Sequence, residues 1–206
     1  MLLDNWSTGS DSVRIACFLA IRKLVAAADE GVRDMVLKGL YLTLLRSCKQ
    51  TTVHTLPSIN LMKNSASEIY TIDQATAYGH AFGYIRQLAV HLRNSIKTKT
   101  KDSYKAVYNW QFVHCIDFWS LVLSTACSRE AKLARGGGES ELQPLIYPLV
   151  QIALGVIRCV VPLNDRSRPT PTCSLVVSLL SCSPPASSRR RASFRSASRW
   201  SGRSSG

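Results

Sequence analysis

The histidines and one adjacent cysteine are the residues of this chain whose types most often support catalysis or metal binding. His80 and His91 are eleven residues apart on roughly one face of a predicted helix, but no acidic or cysteine ligand accompanies them. His114 and Cys115 are adjacent, so they point in different directions and do not suit a single metal site. Each histidine is more simply explained as a satisfied core or surface residue, and we expect no metal site.

Motifs for other reactions are also missing from the sequence. Serine, histidine and aspartate occur without the spacing of a nucleophile elbow. The glycine run at 136–138 does not belong to a G-x-x-x-x-G-K-S/T phosphate loop, and no predicted strand precedes it. Glu139 and Glu141 lie in a predicted flexible loop rather than in an acid–base pair. We therefore expect a protein that is not an enzyme and that uses no cofactor.

The cysteines and the apolar segments bear on the cellular compartment. Seven cysteines are present, no two have Cys-x-x-Cys spacing, and most lie in apolar helical runs, which favours a reducing compartment. The opening MLLDNWSTGSD lacks the regions of a signal peptide. The best candidate for a membrane span, at 144–163, contains Gln151, Arg158 and two prolines near its start. We favour a buried helix there and expect no membrane partner.

The positive charge is spread unevenly along the 206 residues. The net charge is +13, but the segment from Arg166 onward has eight arginines, no lysine and no acid. The first 165 residues therefore carry 18 basic and 13 acidic side chains, a net charge of +5. A moderately basic core is compatible with RNA or an acidic partner, and equally with no charged partner.

The clearest helical signal is the segment from Ala77 to Asn94. Its apolar residues recur in steps of three and four, which predicts a helix with one face toward a core. Basic residues lie on and just after this helix, at Arg86, Arg93, Lys97, Lys99 and Lys101. They are candidate contacts for a partner protein or for RNA phosphates. A solvated surface is the alternative explanation for all five, and favourable interaction with the helix dipole is another for the lysines.

Five further helices are predicted around this one. The six run from Asp11 to about Gly31, from Val32 to Cys48, from Ser58 to Tyr70, from Asp73 to Lys97, from Tyr104 to Ala126, and from Glu141 onward. Nothing suggests a strand. Short connections between apolar helices indicate an all-α fold, either a HEAT/armadillo-like helical repeat (an α-solenoid) or an irregular bundle. We favour the solenoid.

The fifth predicted helix is apolar on nearly every side, which is typical of a core helix. Asp117 is the one charge in its apolar run, so burial there requires a partner. Trp110 belongs to the same run, and we expect Trp110→Ala to destabilise the protein by about 3–5 kcal/mol.

Three regions follow from these patterns: a flexible N-terminus at 1–10, a partial α-helical repeat domain at 11–163, and a disordered basic tail at 164–206. The tail is rich in serine, arginine and proline, which predicts disorder. Its Arg189–Arg191 run is similar to a minimal nuclear-import or nucleic-acid patch. The interpretation we favour is a tail without an evolved role, because this composition is typical of out-of-frame translation of GC-rich sequence.

Four segments within the helical region have unusual sequences. They read HTLPSINLMKNSASEIY, YGHAFGYIRQLAVHLRN, VYNWQFVHCIDFWSLVLS and LQPLIYPLVQIALGVI. They resemble the central region of the nucleolar complex protein 2 family, and residues 17–57 are similar to that family too. The resemblance covers about residues 11–161, and strings such as IRQLAVHLRN and YNWQFVHC are long enough to be specific.

The resemblance implies an α-helical, HEAT-like protein of the nucleus and nucleolus, with the nucleoplasm also allowed. It implies a non-enzymatic scaffold for assembly of the large (60S) ribosomal subunit. The implied partners are other nucleolar complex proteins and pre-60S particles. Within that function, the five basic residues named above are our candidates for contact with pre-rRNA. A histone-binding transcriptional corepressor, or chromatin adaptor, is the alternative function that the resemblance implies.

The matching strings also contain the residues that we expect to form a family-signature core. These are Tyr84, Ile85, Leu88, Leu92, Trp110 and Trp119. Members of the family are several-fold longer than this chain, so we interpret the chain as an internal piece. After about Val161 the sequence departs from the family and changes to the divergent tail.

Overall fold

The computed structural model describes residues 1–98 and 100–160, except for the side chains of Lys101, Tyr104, Cys159 and Val160. These residues form α-helices and one short 3₁₀ helix at Gln143–Leu145, and no strand occurs among them. The α-helices are α1 Leu2–Thr8, α2 Asp11–Ala27, α3 Glu30–Ser47, α4 Leu56–Tyr70, α5 Gln74–Thr98, α6 Lys101–Val107, α7 Trp110–Ala126, α8 Arg129–Ala134 and α9 Ile146–Val160. The predicted all-α class is confirmed. The tail at 164–206 lies outside the described residues.

The N-terminal ten residues contain a packed helix, so the expectation of a flexible segment is wrong. Trp6 of α1 is fully buried, and its indole Nε1 donates a hydrogen bond to Ser65 Oγ at 3.1 Å. Arg14 Nε donates to the Trp6 carbonyl oxygen at 2.9 Å. Burial of one large aromatic side chain holds a helix that is too short to be stable in isolation.

The helices pack around one continuous core. α3 packs against α4 and α5, while α7 packs against α4, α5 and α9. α1 and α2 cover α3 on one side, and α9 covers α5 and α7 on the other. Two helix pairs, α3/α4 and α5/α7, therefore lie between α2 and α9. A continuing solenoid remains our prediction for this arrangement.

Aromatic rings from four helices meet at the centre of this core. Trp119 of α7 is completely buried, and its ring centroid lies 5.3 Å from Tyr41 of α3 and 5.4 Å from Tyr70 of α4. Tyr84 of α5 stacks on Trp119 with centroids 6.0 Å apart. Each such pair adds about 0.5–1.5 kcal/mol beyond the area it buries, so Trp119 connects α3, α4, α5 and α7.

The predicted fifth helix is divided by Asn109 into α6 and α7. Phe112 N donates to Asn109 Oδ1 at 2.7 Å, which caps the start of α7. Asn109 Nδ2 donates to the carbonyl oxygens of Lys105 at 3.0 Å and Ala106 at 2.8 Å, which closes the end of α6. One amide side chain therefore satisfies backbone groups of two helix ends, and a continuous helix is not formed.

Trp110 is at the corner that this break creates, and the prediction that it is a core residue is wrong. Its side chain is 55% exposed and lies beside His114, with ring centroids 6.2 Å apart. Trp110 is the first residue of α7 and lies on the opposite side of that helix from the buried Phe112. The apolar pattern correctly predicts that α7 is a core helix, but Trp110 at its first position is not part of the core.

Two further expectations change in the last part of the described chain. The predicted flexible loop contains α8, which begins where Ala131 N donates to Ser128 Oγ at 3.2 Å. The last helix begins at Ile146 instead of Glu141, after the 3₁₀ turn. Pro148 then lies in the first turn of α9, where the missing N–H leaves no helical hydrogen bond unmade.

Candidate interaction surface

The start and the inner face of α5 are held by neighbouring helices. Asp73 caps its start, because Thr76 N donates to Asp73 Oδ1 at 3.4 Å. Arg33 Nη1 of α3 donates to Asp73 Oδ2 at 2.9 Å and so connects this cap to α3. Burial by itself raises the pKa of Asp73, but the bonds from Arg33 and Thr76 outweigh it, and the pKa lies below the usual value. The inner face buries Ala77, Ala81, Ile85, Leu88, Leu92 and Ser95.

The opposite side of α5 carries the predicted basic residues. Arg86, Arg93 and Lys97 are all exposed. At about 100° per residue they lie within about 40° of one another and point away from the buried face. α5 has no acidic residue in its 25 positions. Within the described part of the chain, none of the three cations pairs with a carboxylate.

Apolar side chains lie between these cations. Phe82 is 50% exposed, and Val90 and Ile96 are each 48% exposed. Phe82 and Ile96 belong to the apolar pattern that predicts this helix, yet both side chains are half-exposed. We call the set formed by Phe82, Arg86, Ala89, Val90, Arg93, Ile96 and Lys97 the α5 outer face. Its mixture of half-exposed apolar groups and unpaired cations is the feature that sequence reasoning missed.

The other two predicted basic residues follow α5 directly. Lys101 is the first residue of α6, which packs against α5. Lys99 lies outside the described residues. Lys105, also on α6, is exposed and lies 3.9 Å from Asp102. We call Lys97, Lys99, Lys101 and Lys105 the lysine corner.

Most of the predicted family-signature residues lie inside the protein. Ile85, Leu88 and Leu92 are buried on the inner face of α5, and Trp119 is buried beside them in α7. Tyr84 is half-buried and packs against the same core. Only Trp110 of the six is on the surface, for the reason given above.

A polar cluster connects α4 to α7 within this core. Lys63 Nζ forms an ion pair with Asp117 Oδ2, which supplies the partner that a charge in an apolar helix requires. His114 is buried one turn before Asp117. Burial lowers the pKa of His114 and the nearby Lys63 charge lowers it further, while Asp117 opposes the shift. These surroundings therefore favour the neutral form of the imidazole near neutral pH.

The buried thiols are poorly suited to nucleophilic chemistry. Burial raises the pKa of Cys48 to about 12, and nearby Cys115 adds to the shift. Burial likewise raises the pKa of Cys115 to about 11. The thiolate is the reactive form of cysteine, so both side chains behave as small apolar groups near neutral pH.

His80 and His91, which the sequence predicts to be structural, lie beside side chains that do not form a metal-binding cluster. His80 Nε2 lies 2.8 Å from Asp34 Oδ1, and the His80 ring stacks on Tyr84. His91 lines a groove of about 300 Å³ between α3, α5, α6 and α7, together with uncharged amide, aromatic and aliphatic side chains. Among the residues with described side chains, no three histidine, cysteine or acidic groups are arranged to hold a metal ion. In the same residues, no helix has the length and apolarity needed to cross a membrane.

The described fold is thus an all-α protein with a fixed core and a cationic, partly apolar helix face directed to solvent. The chain belongs to the Noc2p family, whose model matches residues 31–171. It is 43% identical over 159 residues to Nucleolar complex protein 2 of Drosophila melanogaster, an alignment that covers 77% of this chain and 20% of the relative. The predicted resemblance is confirmed.

Two other relatives give the same picture. A NOC2 family protein of Schizosaccharomyces pombe is 49% identical over 75% of this chain and 22% of its own length. Nucleolar complex-associated protein 2 of Arabidopsis thaliana is 35% identical over 77% of this chain and 19% of its own length. The chain therefore spans about a fifth of the length of these relatives. The names agree with the predicted nuclear and nucleolar localisation.

Proposed function

We propose that this chain is a non-enzymatic scaffold in nucleolar assembly of the large (60S) ribosomal subunit. Its helices hold surfaces that bind other nucleolar complex proteins and pre-60S particles. The observation that carries the proposal is α5, a helix of 25 residues without an acid, whose inner face is buried and whose outer cations are unpaired. Membership in the Noc2p family supports the nucleolar setting.

The rigidity of α5 supports a docking function. α5 packs against α3, α6, α7 and α9, so its outer face keeps a fixed orientation. A fixed surface binds with a smaller loss of conformational entropy than a mobile one. The aromatic cluster around Trp119 and the ion pair between Lys63 and Asp117 maintain this frame.

The lysine corner is the proposed site of contact with pre-rRNA. Lys97 lies in the last turn of α5, and positions 101 and 105 of α6 are also lysines, so the sequence concentrates lysines at one helix junction. Lysine is a strong phosphate ligand that requires no fixed geometry, which suits an irregular RNA backbone. Favourable interaction of Lys97 with the C-terminal dipole of α5 is compatible with this function.

The α5 outer face gives no support to the histone-binding alternative. Histone tails are cationic, and Arg86 and Arg93 repel a basic partner. A corepressor function therefore requires an acidic surface elsewhere on the full-length protein.

RNA binding by the full chain tests the lysine corner. We expect Lys97→Glu/Lys101→Glu to weaken binding to a fragment of large-subunit pre-rRNA and to reduce the slope of log K against log salt by about one to two. Lys23→Glu/Lys49→Glu is the matched control, because it changes the net charge equally at exposed positions that belong to neither α5 nor α6. Equal losses in both variants would contradict a specific site. The arginines from Arg166 onward are present in every variant, so any RNA affinity that they add does not alter the comparison.

Recovery of partners tests the scaffold function itself. Tagged full chain, isolated from a nucleolar extract, is expected to bring down nucleolar complex proteins and precursors of the large subunit. Recovery of neither class would overturn the proposed function.

A further inference from the structure

We infer that the α5 outer face binds an acidic amphipathic helix of a partner protein. This inference rests on the proposed scaffold function and deepens it by giving the chemistry of one partner.

The spacing of the α5 outer face is that of a helix that packs lengthwise against another helix. Phe82, Ala89 and Ile96 recur every seven residues. Arg86 and Arg93 lie between them, also seven apart, so the steps alternate between four and three. This is the heptad spacing of the contact positions in a coiled coil. The five positions extend over about 21 Å of helix, enough for three turns or more of a partner.

The apolar members of the face are available for such contact. Phe82 and Ile96 keep about half of their surface in solvent. Phe82 stacks on Tyr78 with ring centroids 6.2 Å apart and planes inclined by 16°, so the position of its ring is already restricted. Ala89 between them is small, which lets a second helix approach closely. Apolar groups at this spacing match the buried positions of an amphipathic helix.

The arginines determine the charge of the partner. Arg86 and Arg93 are exposed, have no carboxylate partner among the described residues, and lie about 10.5 Å apart along the helix axis. That separation equals one heptad of the partner, so glutamates seven apart can face both guanidinium groups. Arginine and carboxylate form bidentate pairs, which fix the register as well as the affinity.

Helical protein is a better match to this face than RNA is. Phosphates gain from Arg86 and Arg93, but they gain nothing from the aliphatic side chains of Ala89, Val90 and Ile96. Unpaired bases stack on aromatic rings, and Phe82 supplies the single ring of the face. Lys97 belongs to both surfaces, but the rest of the face differs from the lysine corner, where lysines follow one another without apolar residues at such spacing.

A pair of synthetic peptides tests the inference on the full chain. One peptide of about three heptads has contact positions separated by steps of four and three, occupied in turn by leucine and glutamate. The second peptide has lysine in place of each glutamate. We expect the wild-type chain to bind the glutamate peptide at least about tenfold more tightly than the lysine peptide in fluorescence anisotropy. Arg86→Glu/Arg93→Glu is expected to reverse this preference.

Two controls distinguish specific docking from general attraction. Lys23→Glu/Lys49→Glu lowers the net charge by the same amount and is expected to leave the peptide preference unchanged. Phe82→Ser keeps every charge and is expected to weaken binding of the glutamate peptide about tenfold, since an apolar contact is lost. Far-UV circular dichroism and thermal melting verify that each variant folds.

Three results would overturn the inference. The first is no preference for the glutamate peptide, and the second is a preference that survives reversal of both arginines. The third is loss of RNA affinity with unchanged peptide affinity in Arg86→Glu/Arg93→Glu, which would assign the face to RNA. If the peptide fails while Lys97→Glu/Lys101→Glu still weakens RNA binding, this inference alone is wrong and the proposed function stands.

Discussion

Leu92 of α5 occupies the space that a side chain on Gly155 of α9 would need. A Cβ at position 155 would lie 2.7 Å from Leu92 Cδ2, well inside van der Waals contact. Leu92 is itself buried, so its side chain has little room to move. The contact between α5 and α9, and with it the support of the α5 outer face, therefore depends on glycine at this position.

We expect Gly155→Ala to destabilise the protein by about 1–3 kcal/mol, because the added methyl group forces α5 and α9 apart. Urea denaturation followed by circular dichroism measures the loss. Gly79→Ala on α5 is the matched control, because an added Cβ there would face open space, with no atom within 4 Å beyond the adjacent residues and backbone of its own helix. There the better helix propensity of alanine is expected to raise stability by up to about 1 kcal/mol. Equal effects at the two glycines would contradict the close approach.

The two tryptophans of α7 are expected to differ strongly. Trp119→Ala empties a fully buried site between four helices and is expected to cost about 3–5 kcal/mol. Trp110→Ala removes a side chain that is mostly exposed and is expected to cost less than about 1 kcal/mol. Chemical denaturation of both variants makes the comparison. A larger loss for Trp110 would place it in the core, as the sequence alone predicted.

Removal of one member of the ion pair between Lys63 and Asp117 is expected to be more harmful than removal of both. Asp117→Leu leaves the Lys63 charge buried without a partner and is expected to cost about 2–4 kcal/mol. The double variant Lys63→Met/Asp117→Leu is expected to recover most of that loss, since two apolar side chains replace the pair. A double-mutant cycle from denaturation data gives the coupling. Strictly additive losses would show that the two groups act independently.

His114 is expected to make stability fall as the pH is lowered below about 6.5. Its pKa in the folded protein is below the ordinary histidine value of 6.5, so the unfolded chain binds a proton more readily. The free energy of unfolding is therefore highest above pH 6.5 and decreases as the pH falls toward the lower, folded pKa. Denaturation at pH 7.5 and at pH 5.5 measures the decrease, and His114→Leu is expected to make it smaller. If the free energy of unfolding changes equally with pH in the wild-type protein and in His114→Leu, the pH dependence does not arise from His114.

The family, the all-α class and most of the core could be predicted from the sequence. The positions 85, 88 and 92 recur with helical spacing, which puts three apolar side chains on one side of α5 and predicts that this side is buried. The sequence also predicts a partner for Asp117, because it is the one charge in the apolar run of α7. Local composition was enough for these conclusions because helix formation and apolar burial both depend on residues that are close in sequence.

Tertiary structure alone decided which residues reach the surface. Trp110 and Phe82 belong to apolar runs, yet the break at Asn109 and the packing of α5 against α7 and α9 leave both exposed. The sequence predicts a flexible end around Trp6, but in the structure Trp6 is buried and hydrogen-bonded to Ser65 and Arg14. Lys63 became the partner of Asp117 across 54 positions of sequence. A helical pattern defines the faces of one helix, but only the neighbours that the whole chain brings together determine which of those faces are covered.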